Sequence, residues 1–129
     1  MNWGFSEEEY SRVRGWLVSA LVLSPDVFSE AKMLENLRSN EWHLLTTENA
    51  ACVLQLCEID GERIANVLAI GGKIGGSLRE ILKAHNVLCD FLKAQNFTKL
   101  VGEPRDEWAA ILKRNGFVQK GSEYIKELN

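Results

Sequence analysis

The chain has 129 residues, with 15 Lys and Arg against 18 Asp and Glu, a formal charge of −3 and 46% apolar residues. This balance excludes a disordered chain and a fibrous one, and it predicts a single globular domain over residues 1–129 with one buried core. The acidic charge argues against nucleic acid as a partner, because phosphate binding requires a clustered excess of Lys and Arg.

The sequence shows no secretory signal at its start and no apolar stretch long enough to cross a bilayer. Its three cysteines, Cys52, Cys57 and Cys89, cannot all pair with one another, and their spacing is not that of a metal site. We therefore expect a cytoplasmic protein with reduced thiols, no membrane association and no metal.

Two helices are predicted in the first third of the chain. Ser6 begins a capping box, and apolar residues at helical spacing continue the first helix from about Glu7 to Val22, with a break at Pro25. A second helix begins after Ser29 and turns Ala31, Leu34 and Leu37 inward. Too few residues precede the first helix for a strand, so the first strand of the sheet is expected to be missing.

Three antiparallel strands follow, predicted over Trp42–Thr46, Ala50–Glu58 and Arg63–Ile70. Asp60-Gly61 is a strong hairpin turn between the second and third of these strands. The third strand is apolar on both faces over residues 67–70, which is typical of a strand in the middle of a sheet that helices cover.

The second half of the chain adds a glycine-rich turn, a long helix whose apolar stripe begins at Leu78, and then a short strand that the crossover makes parallel to the third one. We expect an α+β fold with a mixed, mostly antiparallel sheet and helices on both faces. The later elements are the helix Ser77–Gln95, the strand Thr98–Val101, a helix from Trp108 to Asn115-Gly116, and a hairpin over residues 117–128.

The glycine-rich turn lies between a buried strand and the start of a helix. Glycines let the backbone approach a ligand closely, and free amides at a helix start bind phosphate oxygens. The alternative is a tight strand-to-helix connection that binds nothing, and the spacing fits neither a Walker loop nor a dinucleotide fingerprint. The candidate binding residues in this turn are Gly71, Gly72, Lys73, Gly75, Gly76 and Ser77.

The order of these elements resembles that of the GCN5-related N-acetyltransferase (GNAT) family. The resemblance is carried by residues 67–70, by the glycine turn and helix that follow, and by residues 108–117. It implies that acetyl-coenzyme A lies where the strand ending at Ile70 splays from the strand after the long helix. It also implies that backbone groups of Leu68, Ala69 and Ile70 pair with the pantetheine amides, that amides from Gly72 to Ser77 hold the pyrophosphate, and that an amine is acetylated.

Acetyl transfer needs a base for the amine and an acid for the leaving thiolate. The tyrosine that commonly serves this family as the acid falls on Leu112, which cannot donate a proton, so a catalytically degenerate protein is expected. Glu103 is a candidate base, with pairing to Arg105 and capping of the next helix as its structural interpretation. Tyr124 is a candidate replacement acid, with packing as the alternative.

The two histidines are expected to be structural or solvated, His43 in a strand and His85 on the polar side of the long helix. A narrower resemblance, in Leu68–Gly72 and the Gly-Phe pair at 116–117, is to small GNAT-like proteins of tailed bacteriophages, some of them associated with the virion. It implies a second function, a non-catalytic scaffold that binds a host or virion protein. An enzyme would instead act on a small-molecule or protein amine.

Overall fold

A computed structural model describes residues 1–22, 28–73, 75, 77–104 and 108–128. Four helices and seven strands make up this part of the chain. In order they are β1 (Asn2–Trp3), α1 (Glu7–Val22), α2 (Glu30–Arg38), β2 (Trp42–Thr46), β3 (Ala50–Ile59), β4 (Glu62–Gly72), α3 (Leu78–Ala94), β5 (Lys99–Gly102), α4 (Ala109–Arg114), β6 (Val118–Lys120) and β7 (Glu123–Glu127).

The strands form one sheet in the order β1-β2-β3-β4-β5-β7-β6. Only β4 and β5 pair in parallel, and they are joined by the crossover through α3; every other pairing is antiparallel. The predicted α+β fold with a mixed, mostly antiparallel sheet is confirmed. The hairpin at Asp60-Gly61 is confirmed as well, since both residues have the positive φ that a tight turn between two strands favours.

The expectation that the first strand is missing is wrong. Asn2 and Trp3 pair antiparallel with the end of β2, and the Gly4 N–H then donates to the Leu44 carbonyl at 2.8 Å. Gly4 has a φ of +125°, so the chain leaves the strand abruptly before α1 begins. A strand of two residues is too short to show the alternation by which strands are predicted.

The core lies in two layers, one on each face of the sheet. Leu44 and Leu45 are adjacent on β2 but belong to different layers, because successive strand residues point to opposite faces. Helices α1 and α2 cover one face, here called the α1 face, and α3 covers the other, the α3 face, with α4 packed at its margin. The residues of the α3 face that are buried deepest include Leu54, Leu92, Leu100 and Leu128.

Two helix positions that were expected to face the core do not. Ala31 is exposed, whereas Leu37 is buried as expected, together with Met33 one turn before it. Leu78 is 44% exposed because it lies ten residues before buried Leu88, which places it about 80° away around the helix. Within the described residues, no helix combines the length and apolar character needed to span a bilayer.

Candidate active site

Strand β4 extends beyond the end of its parallel neighbour β5. Their pairing runs from Ile64 opposite Lys99 to Val67 opposite Gly102, where β5 ends. Strand β4 continues for five more residues, Leu68–Gly72; the last four of them pair with β3, and none of the five pairs with a described residue on the other side. We call the space beside Leu68–Gly72 the sheet gap. Its backbone groups that face away from β3 are available to a ligand.

An irregularity in β4 marks the point where the strands part. Val53 of β3 pairs with Ala69, whereas the next residue, Leu54, pairs with Val67, so Leu68 has no β3 partner. An extra residue of this kind bends the strand and increases its local twist. The bend therefore lies next to the last β4–β5 pair, at the point where β5 ends.

A cavity of about 200 Å³ adjoins the sheet gap. Its wall is mainly aliphatic and aromatic, and its size exceeds the engineered apolar cavities of about 150 Å³ that accept benzene. The lining includes Ala20 and Leu21 of α1, Leu45 of β2, Leu68, Ala69 and Ile70 of β4, Ile81, Leu82 and Leu88 of α3, Leu100 and Gly102 of β5, Trp108, Ile111 and Leu112 in and before α4, and Phe117 and Tyr124.

Two buried polar atoms on the lining residues have no hydrogen-bond partner within the described chain. They are Thr46 Oγ1, at the end of β2 in a residue only 1% exposed, and His85 Nδ1 on α3. Buried polar atoms are paired in the great majority of cases, to protein or to ordered water. Both atoms have almost no accessible surface, so they lie behind the cavity wall rather than on it.

The expectation that His85 lies on a solvated surface is wrong. It is half-buried, with Nε2 3.4 Å from Cys89 Sγ and 3.4 Å from Lys126 Nζ, and its ring centre lies 5.6 Å from that of Phe117. Burial, with the Lys126 charge as a second cause, lowers the pKa of His85. The spacing could have placed it, since His85 precedes Leu88 by three residues and Cys89 by four.

The three β4 residues predicted to contact the cofactor all line the cavity, namely Leu68, Ala69 and Ile70. Gly71 and Gly72 instead continue the strand, paired with β3. A Cβ on Gly71 would lie 2.5 Å from the Trp16 carbonyl oxygen, and one on Gly72 would lie 2.7 Å from Ser77 Oγ. Their lack of a side chain is therefore required by the packing of α1 and of the turn itself.

The rest of the glycine turn is held against the β2–β3 connection. The Lys73 N–H donates to the Asn49 carbonyl at 2.8 Å, and the Asn49 N–H donates to Glu80 Oε2 at 2.9 Å. Gly75 has a φ of +84° with open space around it. Ser77 precedes α3 without a side-chain capping bond, so the first amides of that helix have no cap from it. Gly76, also predicted to bind, lies outside the described residues.

Both candidate proton-transfer residues line the cavity. Tyr124 is 5% exposed and sits directly across from Gly102 on the neighbouring strand, at the point where β4 and β5 part. Glu103 follows Gly102 and is exposed; Arg105, its predicted partner, lies outside the described residues. Leu112 lines the same cavity from α4. His43 lies on β2 against the Trp3 ring and is absent from the described lining.

The cysteines provide no activated thiol at the cavity. Cys52 is on its wall, but burial raises the pKa of this thiol to about 12, so it is protonated and a poor nucleophile at neutral pH. All three cysteines are free. Across the described ranges, no group of three His, Cys, Asp or Glu side chains is arranged to hold a metal ion.

The fold is that of the GNAT acetyltransferases. The chain is similar to FeeM, an N-acyl amino acid synthase from uncultured soil microbes, with a TM-score of 0.76 at 9% identity over 98% of this chain and 89% of that one. It is also similar to a GNAT-family acetyltransferase of Staphylococcus aureus Mu50, with a TM-score of 0.67 at 13% identity over 99% of both chains. A third similar structure is a GNAT-family acetyltransferase of Brucella melitensis in complex with acetyl-CoA, with a TM-score of 0.62 at 11% identity over 99% of this chain and 88% of that one.

No protein-family model matches the sequence, and no curated protein matches it significantly. At identities this low, the structural similarity establishes the fold, while the chemistry has to be argued from the residues of this chain.

Proposed function

We propose that this protein is an N-acyltransferase that binds acetyl-coenzyme A in the sheet gap and transfers the acetyl group to an amine. The extension of β4 past the end of β5, beyond the Val67–Gly102 pair and with an apolar cavity beside it, is the observation that carries the proposal. A β5 as long as β4 would close this space with backbone hydrogen bonds, so its early end leaves room for a ligand with amide groups.

The residues at the gap fit the pantetheine arm of coenzyme A. The arm is narrow and contains two amides, which match the unpaired backbone edge of Leu68, Ala69 and Ile70. Its apolar segments match the lining from α3 and α4. The positive end of the α3 dipole, together with the side chain of Lys73 and the backbone of Gly75, supports the pyrophosphate.

Glu80 also lies in the first turn of α3, and its carboxylate accepts from the Asn49 amide. That bond orients the carboxylate toward the β2–β3 turn. We propose that the other first-turn amides of α3 bind phosphate oxygens, together with the amides of Gly72–Ser77 and the side chain of Lys73. Gly71 and Gly72 then act by placing β4 close to α1, and any contact they make with the cofactor is through the backbone.

When bound, the thioester supplies an acyl group that an amine can accept. A bond forms between the amine nitrogen and the acyl carbon, and the carbon–sulfur bond breaks with its electron pair leaving on sulfur. The protein must therefore take one proton from nitrogen and give one to sulfur. We assign removal of the proton from nitrogen to Glu103 and protonation of sulfur to Tyr124. Leu112 occupies the usual acid position and has no ionisable proton to give.

Two of the structural neighbours support the choice of chemistry. One was determined in complex with acetyl-CoA, and the other is an N-acyl amino acid synthase. Both proteins are similar to this chain over nearly its whole length. We therefore take the acceptor class to be an amine, on a small molecule or a protein.

The alternative is a non-catalytic domain that uses the same fold to bind another protein, such as a virion or host protein. Leu112 favours it, since an acid is lacking at the position where the family commonly has one. Cofactor binding without turnover would support this alternative, whereas acetylation of any amine would exclude it.

Calorimetric titration with acetyl-coenzyme A, followed by a thiol-release assay over a panel of amines, tests the proposal. Binding should raise the melting temperature, because a ligand selective for the native state stabilises it. Free thiol should then appear only when an amine is present. The absence of both heat and a thermal shift at millimolar cofactor would contradict the proposal.

A further inference from the structure

The cavity continues past the sheet gap, onto the α3 face of the strands that remain paired. Leu100 lines it, although this residue pairs with Ala65 in the parallel part of the sheet, two residues before β5 ends at Gly102. Two residues of a strand span about 7 Å, so the cavity extends about that far beyond the Val67–Gly102 pair. We call this part the deep end. It lies on the opposite side of that pair from the β4 edge to which we assign the pantetheine amides.

The deep end is enclosed by apolar and aromatic side chains of the α3-face core. These lining residues are Leu88 of α3, Leu100 of β5, Leu112 of α4, Phe117 before β6 and Tyr124 of β7. Leu100 is only 2% exposed and Leu88 only 6%, so they form a closed wall rather than a second mouth. The phenol that we assign to the leaving sulfur therefore stands beside a blind apolar pocket.

Helix α3 borders the cavity along its first half. Ile81 and Leu88 are seven residues apart, which places them within about 20° of each other around the helix, and Ala84 lies about 40° from Leu88. All three line the cavity, but only Leu88 is buried, whereas Ile81 and Ala84 are half-buried. The inner face of α3 is thus fully packed only in its second half. A ligand in the cavity would cover the rest of that apolar face.

The lining selects an apolar occupant for the deep end. Glu103 and His85 are the only side chains with an acidic or basic group among the described lining residues that carry Asp, Glu, Lys, Arg or His. Glu103 is exposed and follows Gly102, away from the deep end, and burial lowers the pKa of His85, which favours its neutral form. A polar group moved from water into such surroundings loses its hydration without gaining a partner. A hydrocarbon group incurs no such cost.

We infer that the deep end holds the hydrocarbon chain of an acyl group longer than acetyl, carried to the site as an acyl-coenzyme A. With the sulfur beside Tyr124, the chain attached to the thioester carbonyl continues onward from the pantetheine arm and reaches Leu88 and Leu100. An acetyl group has a single methyl beyond its carbonyl and would leave most of this pocket unfilled. The inference rests on the proposed function and changes only the length of the group transferred, so the bonds that form and break are those given above.

Calorimetry of the wild-type protein with acetyl-, butyryl-, hexanoyl- and octanoyl-coenzyme A tests this inference without any substitution. Each methylene group that is buried tightens binding by up to about fourfold, and ordering of the chain offsets part of that gain. We expect hexanoyl-coenzyme A to bind at least about tenfold more tightly than acetyl-coenzyme A, with the butyryl donor between them. Equal Kd values across the series would overturn the inference and leave the proposed function standing. If no donor binds, both are refuted.

Leu100→Ala distinguishes a fitted pocket from general attraction of long chains to the protein. The variant moves the closed wall back, so the Kd of octanoyl-coenzyme A relative to the hexanoyl donor should fall at least about threefold. Leu92→Ala is the matched control, because it removes the same atoms from the same core layer at a buried residue outside the described lining. Both variants lower the melting temperature, and only the first should change the ratio. The same ratio in both variants would overturn the inference.

The acceptor amine is the other source of an apolar group at this site. Thiol release with acetyl-coenzyme A and amines of increasing alkyl length measures its share. Our inference predicts that kcat/KM depends on the length of the acyl chain and that Leu100→Ala leaves the preference among amines unchanged. If Leu100→Ala shifts the preferred amine and not the preferred acyl group, the deep end binds the acceptor and the inference is wrong.

Discussion

Val67 and Gly102 form the last pair between β4 and β5, and Tyr124 faces Gly102 from the next strand. Three neighbouring strands therefore meet at the point where the sheet opens. Gly102 places no side chain beside Tyr124 at this junction, and both residues line the cavity. Gly102, which has no side chain, and Tyr124, which carries a phenol, therefore lie side by side at the edge of the sheet gap.

Gly102→Val should block the sheet gap while leaving the fold intact. A Cβ at Gly102 would lie 3.6 Å from Val67 Cβ, an ordinary contact, so the strand tolerates it. The two added methyl groups would extend into the cavity on the side where Tyr124 lies. We expect the affinity for acetyl-coenzyme A to fall at least about tenfold, by calorimetry, with a small change in melting temperature.

Gly15→Ala is the matched control for that change. Gly15 lies on an exposed part of α1, where an added Cβ would have open space around it, and alanine there should stabilise the helix by up to about 1 kcal/mol. Cofactor affinity should be unaltered. Equal affinities for Gly102→Val and Gly15→Ala would place the binding site elsewhere.

Tyr124→Phe should slow turnover without weakening cofactor binding. The substitution removes only the hydroxyl that we assign as the proton donor to sulfur, and acid–base groups contribute about 10²–10⁴-fold to rates. We expect kcat to fall about 100-fold while the Kd of acetyl-coenzyme A stays within about threefold of wild type.

Tyr10→Phe separates loss of a proton donor from loss of a buried tyrosine hydroxyl. Tyr10 is buried on the α1 face, where its hydroxyl donates to Glu30 Oε2 at 2.7 Å. Its removal should lower the free energy of unfolding by about 1–3 kcal/mol and leave kcat unchanged. If Tyr124→Phe behaves like Tyr10→Phe, with stability reduced and kcat intact, Tyr124 is a packing residue.

Leu112→Tyr should raise turnover, because it installs a phenol at the family's usual acid position on the cavity wall. Leu112→Phe adds the same ring without the hydroxyl and is the control. We expect kcat of the Tyr variant to exceed that of the Phe variant by about tenfold or more in the thiol-release assay. Equal rates would show that a phenol at position 112 does not protonate the leaving sulfur.

Stability should fall in acid through a carboxylate far from the cavity. Arg14 first and Tyr10 second hold the pKa of Glu30 below its ordinary value of 4.5 through hydrogen bonds. The folded state therefore favours the ionised form, and this stabilisation, complete above pH 4.5, is lost as the pH falls through the lowered value. Denaturant titrations of wild type and Glu30→Gln should converge in that range; parallel curves throughout would contradict the assignment.

The sequence predicts helix bounds well where a local capping signal exists. The Glu9 N–H donates to Ser6 Oγ at 3.1 Å, and α1 runs from Glu7 to Val22 as expected. The fold could be predicted from the order of the helices and strands along the chain. Strand β1 could not be predicted, because its two residues are held by pairing with β2 and by the turn at Gly4.

The site was only partly predictable, since it depends on how distant segments meet. Leu68–Ile70 could be placed at the cavity by resemblance. The reason why position 71 is a glycine could not be predicted, because a side chain there would collide with the Trp16 carbonyl of helix α1, which is distant in sequence. His85 was misplaced although its spacing to Leu88 and Cys89 was visible. A polar side chain indicates a surface position, and that indication was given more weight than the helical spacing, which indicates the core.

Backbone amide NMR during titration with acetyl-coenzyme A tests most directly whether the separated strands hold the cofactor. We predict saturable shifts centred on Leu68, Ala69 and Ile70 and on the first turn of α3, with the α1–α2 residues around Glu30 unaffected. A spectrum that does not change at millimolar ligand, or one that changes only away from β4, would show that the opening in the sheet is not a cofactor site.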